Sequence, residues 1–420
     1  AGERRLVRYA SDILIVGAGV GGLSLGLRLA SKGYRVRILQ QREPPPAKRP
    51  EMVQPHGLQA FAELGLLDRL MAKRVARVEC FRFSQIQGEP LCRVDYRILD
   101  HPYPYALIAL PGQTRRVLLD GLRAHPAVHI HWGARLTGAL RRDKQVVGAT
   151  AVENGQEREF HALVTVGADG SHSRLREVLG LACRVKRYPN AFLGLFVNRP
   201  AGLARVFDRQ VGYYLGRGEI LGIFPCAPTV LCLLYMVPAD GTSGMHEQRL
   251  EALKSRIADI EPRLRDSSLA SLTAWEQVSC LLPVQVRAAR WVAEGAALLG
   301  DAAHACHPHV AQGSFQAMED AKVLAEVLDV CLSRGEFSAR ALAPYEEIRR
   351  PVVERLQQVA NEYVWLWETK NPVLARLRDR IFRNVGERPE LLYRVAAIEA
   401  GIESGPLTFA ERLQALGLCA

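Results

Sequence analysis

Ten residues near the start of the sequence have the types and the spacing of a phosphate-binding turn. From Ile13 to Gly22, four apolar residues, three of them β-branched, run into a cluster of glycines, and an amphipathic stretch follows from Leu23 to Ala30. This order predicts a strand, a tight turn and a helix: Gly17 allows the turn, Gly19 lets the backbone approach a pyrophosphate, and Gly22 lets the helix pack closely on the strand. The N-terminus of such a helix offers unpaired N–H groups and a positive dipole end to an anion. We therefore predict a dinucleotide site; a glycine-rich turn without a ligand is the alternative.

Two carboxyl groups stand beside glycines where later strands are predicted to end. Asp169 follows the apolar run 162–166, and Asp301 follows the apolar run 296–299. Carboxylates at strand ends commonly bind ligand hydroxyl groups. The alternative for Asp169 is an Asp-Gly turn with a capping serine that serves only the fold.

Alternating strands and helices would position these groups. Apolar periodicity predicts a helix over 58–71, another over 114–124, and a long helix over 314–333. Gln312 and Gly313 precede this long helix, so its dipole would point at a developing anion there. Four turn-separated apolar segments are instead typical of an antiparallel sheet: 192–197, 211–215, 220–224 and 230–237.

Composition limits the class of protein. The chain has 420 residues and 48% hydrophobic residues, which predicts two domains or one large domain with an insertion. Its longest apolar run, Val230 to Val237, is too short to span a membrane, and we expect no signal peptide. The nine cysteines include no C-x-x-C pair, which favours a reducing cytoplasm. We expect no metal site at His304, His307 and His309, since no acidic residue is spaced to complete a set.

The net charge of +11 has three interpretations. Solubility alone is the simplest, and attraction to anionic ligands or to a membrane surface is the second. Nucleic acid is not expected as a partner, because no recognition motif accompanies the charge. A peripheral membrane contact would suit the basic helix that carries Arg376, Arg378, Arg380 and Arg383, although a solvated helix packed on the main domain is the simpler interpretation.

The three motifs, in this order and at these separations, resemble the class A flavoprotein monooxygenases, the para-hydroxybenzoate hydroxylase family. The resemblance covers most of the chain and rests on the glycine run, on Asp169-Gly170 with Arg176, and on Gly300-Asp301. It implies an α/β fold: a Rossmann-like FAD-binding domain of the para-hydroxybenzoate hydroxylase and glutathione reductase type, an inserted and mostly antiparallel substrate sheet, and C-terminal helices. The expected FAD-binding domain is discontinuous, over residues 1–75, 106–185 and 280–343; the substrate domain covers 76–105 and 186–279, and the helical region covers 344–420.

The same resemblance implies a set of FAD-binding residues. They are Gly17, Gly19, Val20, Gly21, Gly22, Gln40, Gln41, Arg42, Arg115, Asp169, Asp301, Ala311, Gln312, Gly313 and Ser314. NAD(P)H would be a transient reductant, because the sequence has no second glycine motif for it.

This sequence departs from the family at three of those positions. The family places Glu where Gln40 stands, and an amide is a weaker acceptor for the adenosine ribose, so Glu43 is an alternative partner. Ala311 replaces a glycine, and Arg115 is only an approximate match for a family arginine.

The resemblance implies hydroxylation of an aromatic ring with O2 through a flavin C4a-hydroperoxide. The apolar predicted sheet favours a hydrophobic aromatic substrate such as a quinol, a quinolone or a polyketide, in contact with Tyr213, Phe224, Pro225 and Pro308. No residue is singled out as the catalytic base, and the oligomeric state is open. The alternatives are a flavoprotein of this fold with other redox chemistry, such as an alkene reductase of the geranylgeranyl type or a halogenase, and a binding protein without catalysis.

Overall fold

The computed structural model describes residues 11–42, 50–86, 88–242 and 247–419. Two large sheets, a three-stranded sheet and a two-stranded sheet organise this part of the chain, with helices packed on them. The strands are β1 (Ser11–Val16), β2 (Val36–Gln40), β3 (Glu51–Val53), β4 (Val75–Val78), β5 (Cys80–Gln85), β6 (Pro90–Asp95), β7 (Ala106–Ala109), β8 (Val128–Trp132), β9 (Arg135–Arg142), β10 (Gln145–Glu153), β11 (Gln156–Gly167), β12 (Cys183–Arg187), β13 (Asn190–Asn198), β14 (Gln210–Leu215), β15 (Ile220–Ala227), β16 (Val230–Pro238), β17 (Val278–Leu281), β18 (Val284–Ala288), β19 (Val292–Ala293) and β20 (Ala296–Leu298).

The helices concentrate in the C-terminal third of the chain, where α9 and α10 are the longest. They are α1 (Val20–Ser31), α2 (Pro55–Glu63), α3 (Leu67–Met71), α4 (Gln113–Leu122), α5 (Arg174–Val178), α6 (Ala201–Ala204), α7 (Glu247–Ile260), α8 (Asp301–His304), α9 (Gly313–Arg334), α10 (Ala339–Trp367), α11 (Pro372–Glu387), α12 (Pro389–Glu399) and α13 (Phe409–Leu416). Among the helices described, none combines the length and the apolar character needed to cross a bilayer.

The first sheet brings the three sequence motifs to one edge. Strands β20, β11, β1 and β2 lie side by side and parallel, with β8 beyond β2. In this register Val16 lies opposite Gly167, and Gly167 lies opposite Leu298. The glycine turn, the Asp169 turn and the Gly300 turn therefore leave neighbouring strands at the same level. This is the crevice at the carboxyl ends of parallel strands where open α/β sheets bind ligands.

The second sheet has seven strands in the order β17-β13-β16-β15-β14-β5-β6. Its neighbours are antiparallel, except that β5 and β14 run parallel. One face packs against the C-terminal helices through a shared apolar core that includes Phe224, Trp367 and Leu391. The other face packs against α7 through Leu221, Leu233 and other apolar side chains. The inserted, mostly antiparallel sheet and the α/β fold are thus confirmed.

Several predicted elements differ in detail. The helix predicted over 58–71 is two helices, α2 and α3, because Gly65 has a left-handed φ of +67° between them. Strand β9 pairs with β10 and was missed, since its half-exposed residues lack an alternating pattern. The domain boundaries stay a prediction; the one placed at residue 344 falls inside the continuous helix α10.

Candidate functional site

The glycine turn has the close backbone packing expected of a dinucleotide site. Gly17 has a φ of +108°, and a Cβ atom there would lie 2.3 Å from the carbonyl oxygen of Ala168. A Cβ atom on Gly22 would lie 2.1 Å from the carbonyl oxygen of Gly17, and one on Gly21 would lie 2.4 Å from the Leu299 side chain. Glycine is therefore required by the fold itself at Gly17 and Gly22, whose neighbours are backbone atoms, whereas a Cβ atom on Gly21 would have to displace the Leu299 side chain.

Gly19 is the exception, and it is the position that fits a ligand. Apart from its chain neighbours, no atom of the described residues lies within 4 Å of the place where its Cβ atom would be, and its φ of −78° is one that any residue adopts. Gly19 is also the N-cap residue of α1, and no side-chain hydrogen bond from it caps the helix. The half-buried Val20 begins the helix. Open space in front of uncapped N–H groups suits a pyrophosphate.

Gln40 braces the glycine turn from the end of β2. Its Oε1 accepts a hydrogen bond from the N–H of Ala18 at 2.7 Å, and its Nε2 donates to the carbonyl oxygen of Arg42 at 2.8 Å. Gln41 and Arg42 are exposed beside it. The contact with the adenosine ribose remains a prediction, and the alternative partner Glu43 lies outside the described residues.

Arg115 reaches the same turn from α4. Its Nε donates to the carbonyl oxygen of Ala18 at 2.6 Å, so Gln40 and Arg115 hold both sides of one residue in the turn. The carboxylate of Glu51 caps α4 by accepting from the N–H and the hydroxyl of Thr114, at 2.9 and 2.7 Å. Sequence reasoning missed Glu51 because it lies far from α4 along the chain.

Asp169 is turned toward the protein, where it caps α5. It accepts hydrogen bonds from the Ser173 hydroxyl at 2.5 Å and from the N–H of Leu175 at 3.0 Å. Burial raises the pKa of Asp169, while these hydrogen bonds oppose the shift. Arg176 donates to the carbonyl oxygen of Ala302 at 2.7 Å and so joins this turn to α8.

Asp301, unlike Asp169, presents its side chain to solvent. It opens the short helix α8, and its Oδ1 would lie 3.8 Å from a Cβ atom on Gly313. Ser314, the next residue of α9, is also exposed. The carboxylate of Asp301 and the N-terminus of α9 therefore lie beside the same open space.

A buried charge network supports the turn at Gly300. The carboxylate of Asp320 in α9 accepts a hydrogen bond from the N–H of Gly300 at 3.0 Å and another from the Nε of Arg349 at 2.8 Å. It also contacts a ring nitrogen of His304 at 2.5 Å. Burial opposes ionisation of Asp320, but the charges of His304 and Arg349 outweigh it and lower its pKa to about 2. The network fixes the turn relative to α9 and α10.

The residues just before α9 have an unusual backbone. Ala311 has a φ of +49°, which lies in the left-handed region and explains why a glycine is usual there. Gln312 is the N-cap residue of α9, but its side chain is buried and donates to the carbonyl oxygen of Ile398 at 2.7 Å. The N-terminus of α9 thus receives no side-chain cap from Gln312, and the amide joins it to the C-terminal helices.

Two of the three histidines in this segment share a buried carboxylate. The ligand-type atoms of His307, His309 and Glu368 lie within 4.8 Å of one another, so the structure supplies the acidic residue that sequence spacing did not reveal. Asn190 donates to Glu368 at 2.7 Å, and His309 contacts it at 2.8 Å. The Nδ1 of His307 accepts from the N–H of His309, which in a neutral ring leaves the hydrogen on Nε2 rather than a lone pair for a metal. The absence of a metal remains a prediction.

Aromatic side chains of the second sheet and of α10 form one continuous cluster of rings in contact, which we call the aromatic wall. Its members are Phe83, Tyr213, Phe224, Tyr363 and Trp367. Tyr213 stacks on Phe83 with a centroid distance of 5.1 Å, and it meets the edges of Phe224 and Trp367 at 5.6 and 5.8 Å. Tyr363 stacks on Trp367 at 4.8 Å. Tyr213 and Phe224 were predicted from the sequence; the contributions of α10 were not.

The other two predicted substrate residues lie at different depths. Pro225 is buried next to Phe224 in β15, whereas Pro308 is exposed. The ring of His309, next to Pro308, lies 4.9 Å from that of Trp367. The segment before α9 therefore adjoins the aromatic wall, and Pro308 lies at the boundary between the two.

With this geometry in place, comparison with known proteins gives the family. A family model described as "FAD binding domain" matches residues 10–360. The chain belongs to this family and is a class A flavoprotein monooxygenase, a FAD-dependent oxidoreductase. The family resemblance and the cofactor inferred from the three motifs are confirmed; the individual cofactor and substrate contacts stay predictions.

Relatives and solved structures agree with this assignment. The chain is 30% identical over 352 residues to 6-methylpretetramide 4-monooxygenase of Streptomyces rimosus, covering 83% of this chain and 82% of that protein. It is 30% identical over 363 residues to the ubiquinone hydroxylase UbiL of Rhodospirillum rubrum, covering 81% and 78%. The fold matches p-nitrophenol 4-monooxygenase PnpA of Pseudomonas putida with a TM-score of 0.80 at 20% identity, covering 94% of this chain and 99% of that one.

Proposed function

We propose that the protein uses NAD(P)H and O2 to hydroxylate a hydrophobic phenolic ring system of the quinol, quinolone or polyketide class. The aromatic wall is the observation that carries this proposal. Flat aromatic faces beside the segment that precedes α9 suit a large ring, because stacked and edge contacts add to the energy of apolar burial. The names of two relatives, which specify 6-methylpretetramide and ubiquinone, support a large aromatic substrate.

The residues present fit FAD at one edge of the first sheet. The uncapped N-terminus of α1 at Gly19 would hold the pyrophosphate, and the exposed carboxylate of Asp301 would accept hydrogen bonds from ribitol hydroxyl groups. The N-terminus of α9 at Gly313 would face the ring system, where its dipole stabilises negative charge. FAD supplies the redox chemistry that connects NAD(P)H oxidation with oxygen transfer.

The chain itself must orient the substrate and exclude water. Tyr213 and Tyr363 retain some accessible surface although burial raises the pKa of both hydroxyl groups. This combination is expected for side chains that line an enclosed space. Phe224 and Trp367 are almost fully buried behind them and hold them in place. A ring bound there would be shielded from bulk solvent on the side of the second sheet.

The test is a screen of the purified, flavin-loaded protein. We expect 1-naphthol and prenylated hydroquinones to accelerate NAD(P)H consumption and to gain one oxygen atom from isotopically labelled O2, measured by mass spectrometry. 4-Hydroxybenzoate is the matched control, because its carboxylate would be poorly accommodated by an apolar wall. Preference for 4-hydroxybenzoate would contradict the proposed substrate class, and a lack of turnover with every phenol would contradict the proposed reaction.

Location at a membrane surface is a separate proposal. Arg376, Arg380 and Arg383 of α11 are exposed, but Arg378 is only 2% exposed and pairs with Asp379 at 2.8 Å. The basic surface therefore has three of the four expected arginines. We expect weak, salt-sensitive sedimentation with vesicles rich in phosphatidylserine, and the triple substitution of these three arginines by glutamine should abolish it.

A further inference from the structure

A carboxyl group that no sequence motif indicated lies behind the aromatic wall. Glu399 is the last residue of α12, and its carboxylate accepts a hydrogen bond from the Tyr363 hydroxyl. It also acts electrostatically on Tyr96, which follows β6, and on Tyr213 of β14. Glu399 retains some accessible surface, as Tyr213 and Tyr363 do. Three phenols from separate segments of the chain thus surround the carboxyl group of Glu399.

The backbone around Glu399 is attached to the side of the molecule that would hold FAD. The carbonyl oxygen of Ile398 accepts from the side chain of Gln312 at 2.7 Å, and that of Ala400 accepts from the N–H of His56 at 3.2 Å. Gln312 is the N-cap residue of α9. The carbonyl oxygen of Glu399 itself lies 3.4 Å from Gln312 Nε2, so Glu399 lies beside the N-terminus of α9, which would face the flavin ring system, while its carboxylate contacts Tyr363 of the aromatic wall.

The surroundings of Glu399 leave its charge uncompensated. Burial raises the pKa of Glu399 to about 7, and the hydrogen bond from Tyr363 opposes this shift. The titratable groups facing it are Tyr363 from α10, Tyr96 and Tyr213. Burial raises the pKa of each of these phenols above its ordinary value, so all three remain neutral donors near pH 7. Glu399 is thus the member of this group that changes its charge near neutrality.

We propose that Glu399 is the catalytic base that removes the proton from the phenolic hydroxyl group of the substrate. The O–H bond of the phenol breaks, its electron pair stays on the phenolic oxygen, and the proton forms an O–H bond with the carboxylate of Glu399. No redox change accompanies this step. The negative oxygen raises the electron density of the ring at the positions ortho and para to it, which prepares the ring to attack an electrophilic oxygen. This inference rests on the proposed function.

The experiment compares a phenol with its ether in the flavin-loaded enzyme. With 1-naphthol, Glu399→Gln should lower kcat by about 100-fold, because a positioned general base contributes on the order of 10²–10⁴-fold. With 1-methoxynaphthalene, which has no proton to lose, the variant and the wild type should turn over at the same low rate. Glu390→Gln, at the exposed first turn of the same helix, is the matched control and should behave as wild type with both compounds.

The pH dependence of kcat distinguishes a catalytic base from a carboxyl group that only supports the fold. Wild-type kcat with 1-naphthol should fall below about pH 7, and Tyr363→Phe should move this midpoint to higher pH because it removes the hydrogen bond that favours the ionised form. If Glu399→Gln keeps full flavin content, wild-type kcat and the same acidic limb, the proposal is overturned. An equal loss with the phenol and the ether would also overturn it. If the wild type oxidises NAD(P)H with neither compound, the proposed function fails first, and this inference fails with it.

Discussion

Two carboxyl groups, one fully buried and one half-buried, mark two regions of the molecule that are built differently. Asp320, behind the turn at Gly300, is fully buried and bonded to His304 and Arg349, and its pKa is lowered to about 2. Glu399, behind the aromatic wall, has a phenol as its partner, and its pKa is raised to about 7. Burial acts in the same direction on both; neighbouring positive charge decides the outcome.

This difference separates the support of a site from the chemistry within it. A charge that is compensated on several sides stays constant over the physiological pH range and fixes geometry. A charge left without a cation costs free energy when it forms, and such groups cluster where proton transfer is needed. The first region therefore holds the cofactor turns in place, and the second offers a group that can accept a proton.

The largest expected effect comes from removing the positive charge that compensates the buried carboxylate of Asp320. Arg349→Met would leave the buried carboxylate of Asp320 without its guanidinium, which should lower the free energy of unfolding by about 3–5 kcal/mol. Flavin content should fall as well, because the turn at Gly300 loses support. Arg340→Met, on the exposed side of the same helix, should change the free energy of unfolding by less than about 0.5 kcal/mol in urea titrations. Equal changes in the free energy of unfolding for the two substitutions would show that the charge of Arg349 does not stabilise the fold.

Substitutions in the glycine turn can separate an effect on FAD binding from an effect on the stability of the fold. Gly22→Ala places a Cβ atom 2.1 Å from a backbone oxygen and should lower the free energy of unfolding by about 3 kcal/mol. The Cβ atom of Gly19→Ala meets no atom within 4 Å in the part of the chain that the structure describes, apart from its chain neighbours, so the flavin-free protein should keep its stability while FAD affinity drops. Calorimetric unfolding of the flavin-free variants and fluorescence titration with FAD measure the two quantities. If Gly19→Ala kept the FAD affinity of the wild type, the pyrophosphate would not bind at Gly19.

The contributions of Asp320 and Glu399 to the free energy of unfolding should change with pH in opposite directions. The folded-state pKa of Asp320 is lowered, so its contribution is present above about pH 4 and is lost as the pH falls toward about 2. The folded-state pKa of Glu399 is raised from 4.5 to about 7, so its contribution is full below 4.5 and is lost as the pH rises through about 7. From pH 5 to pH 8, the wild type should lose about 2 kcal/mol relative to Glu399→Gln in urea titrations. If the free energies of unfolding of the wild type and of Glu399→Gln changed in parallel over this pH range, Glu399 would be ionised throughout it.

The smallest expected effect tests the backbone before α9. Ala311→Gly should raise the free energy of unfolding by about 1 kcal/mol, because Ala311 has a left-handed φ of +49° that costs an L-residue about that much. Ala341→Gly, the same change within α10, should lower it by about 1 kcal/mol instead. Opposite signs in thermal unfolding would confirm that the strain is local to Ala311.

The sequence by itself determined the features whose residues are adjacent along the chain. Gly17 and Gly22 specify a tight turn between a strand and a helix, because only glycine tolerates the backbone contacts at 2.3 and 2.1 Å found there. Asp169 and Asp301 were recognised in the same way, each as the first carboxylate after a buried strand. The three short motifs were enough to indicate the family and the cofactor, because each motif is a run of neighbouring residues that can be read directly from the sequence.

Only the tertiary structure decided which distant groups meet. Glu399 reaches the aromatic wall, Glu368 reaches His307 and His309, and Arg349 reaches Asp320, although each pair or set is separated by many residues of the chain. Local periodicity predicts which face of a helix is buried, but it carries no information on what that face contacts. The pKa of a buried carboxyl group depends on its neighbours in space, so the distinction between a structural charge and a catalytic one appears only after the chain has folded.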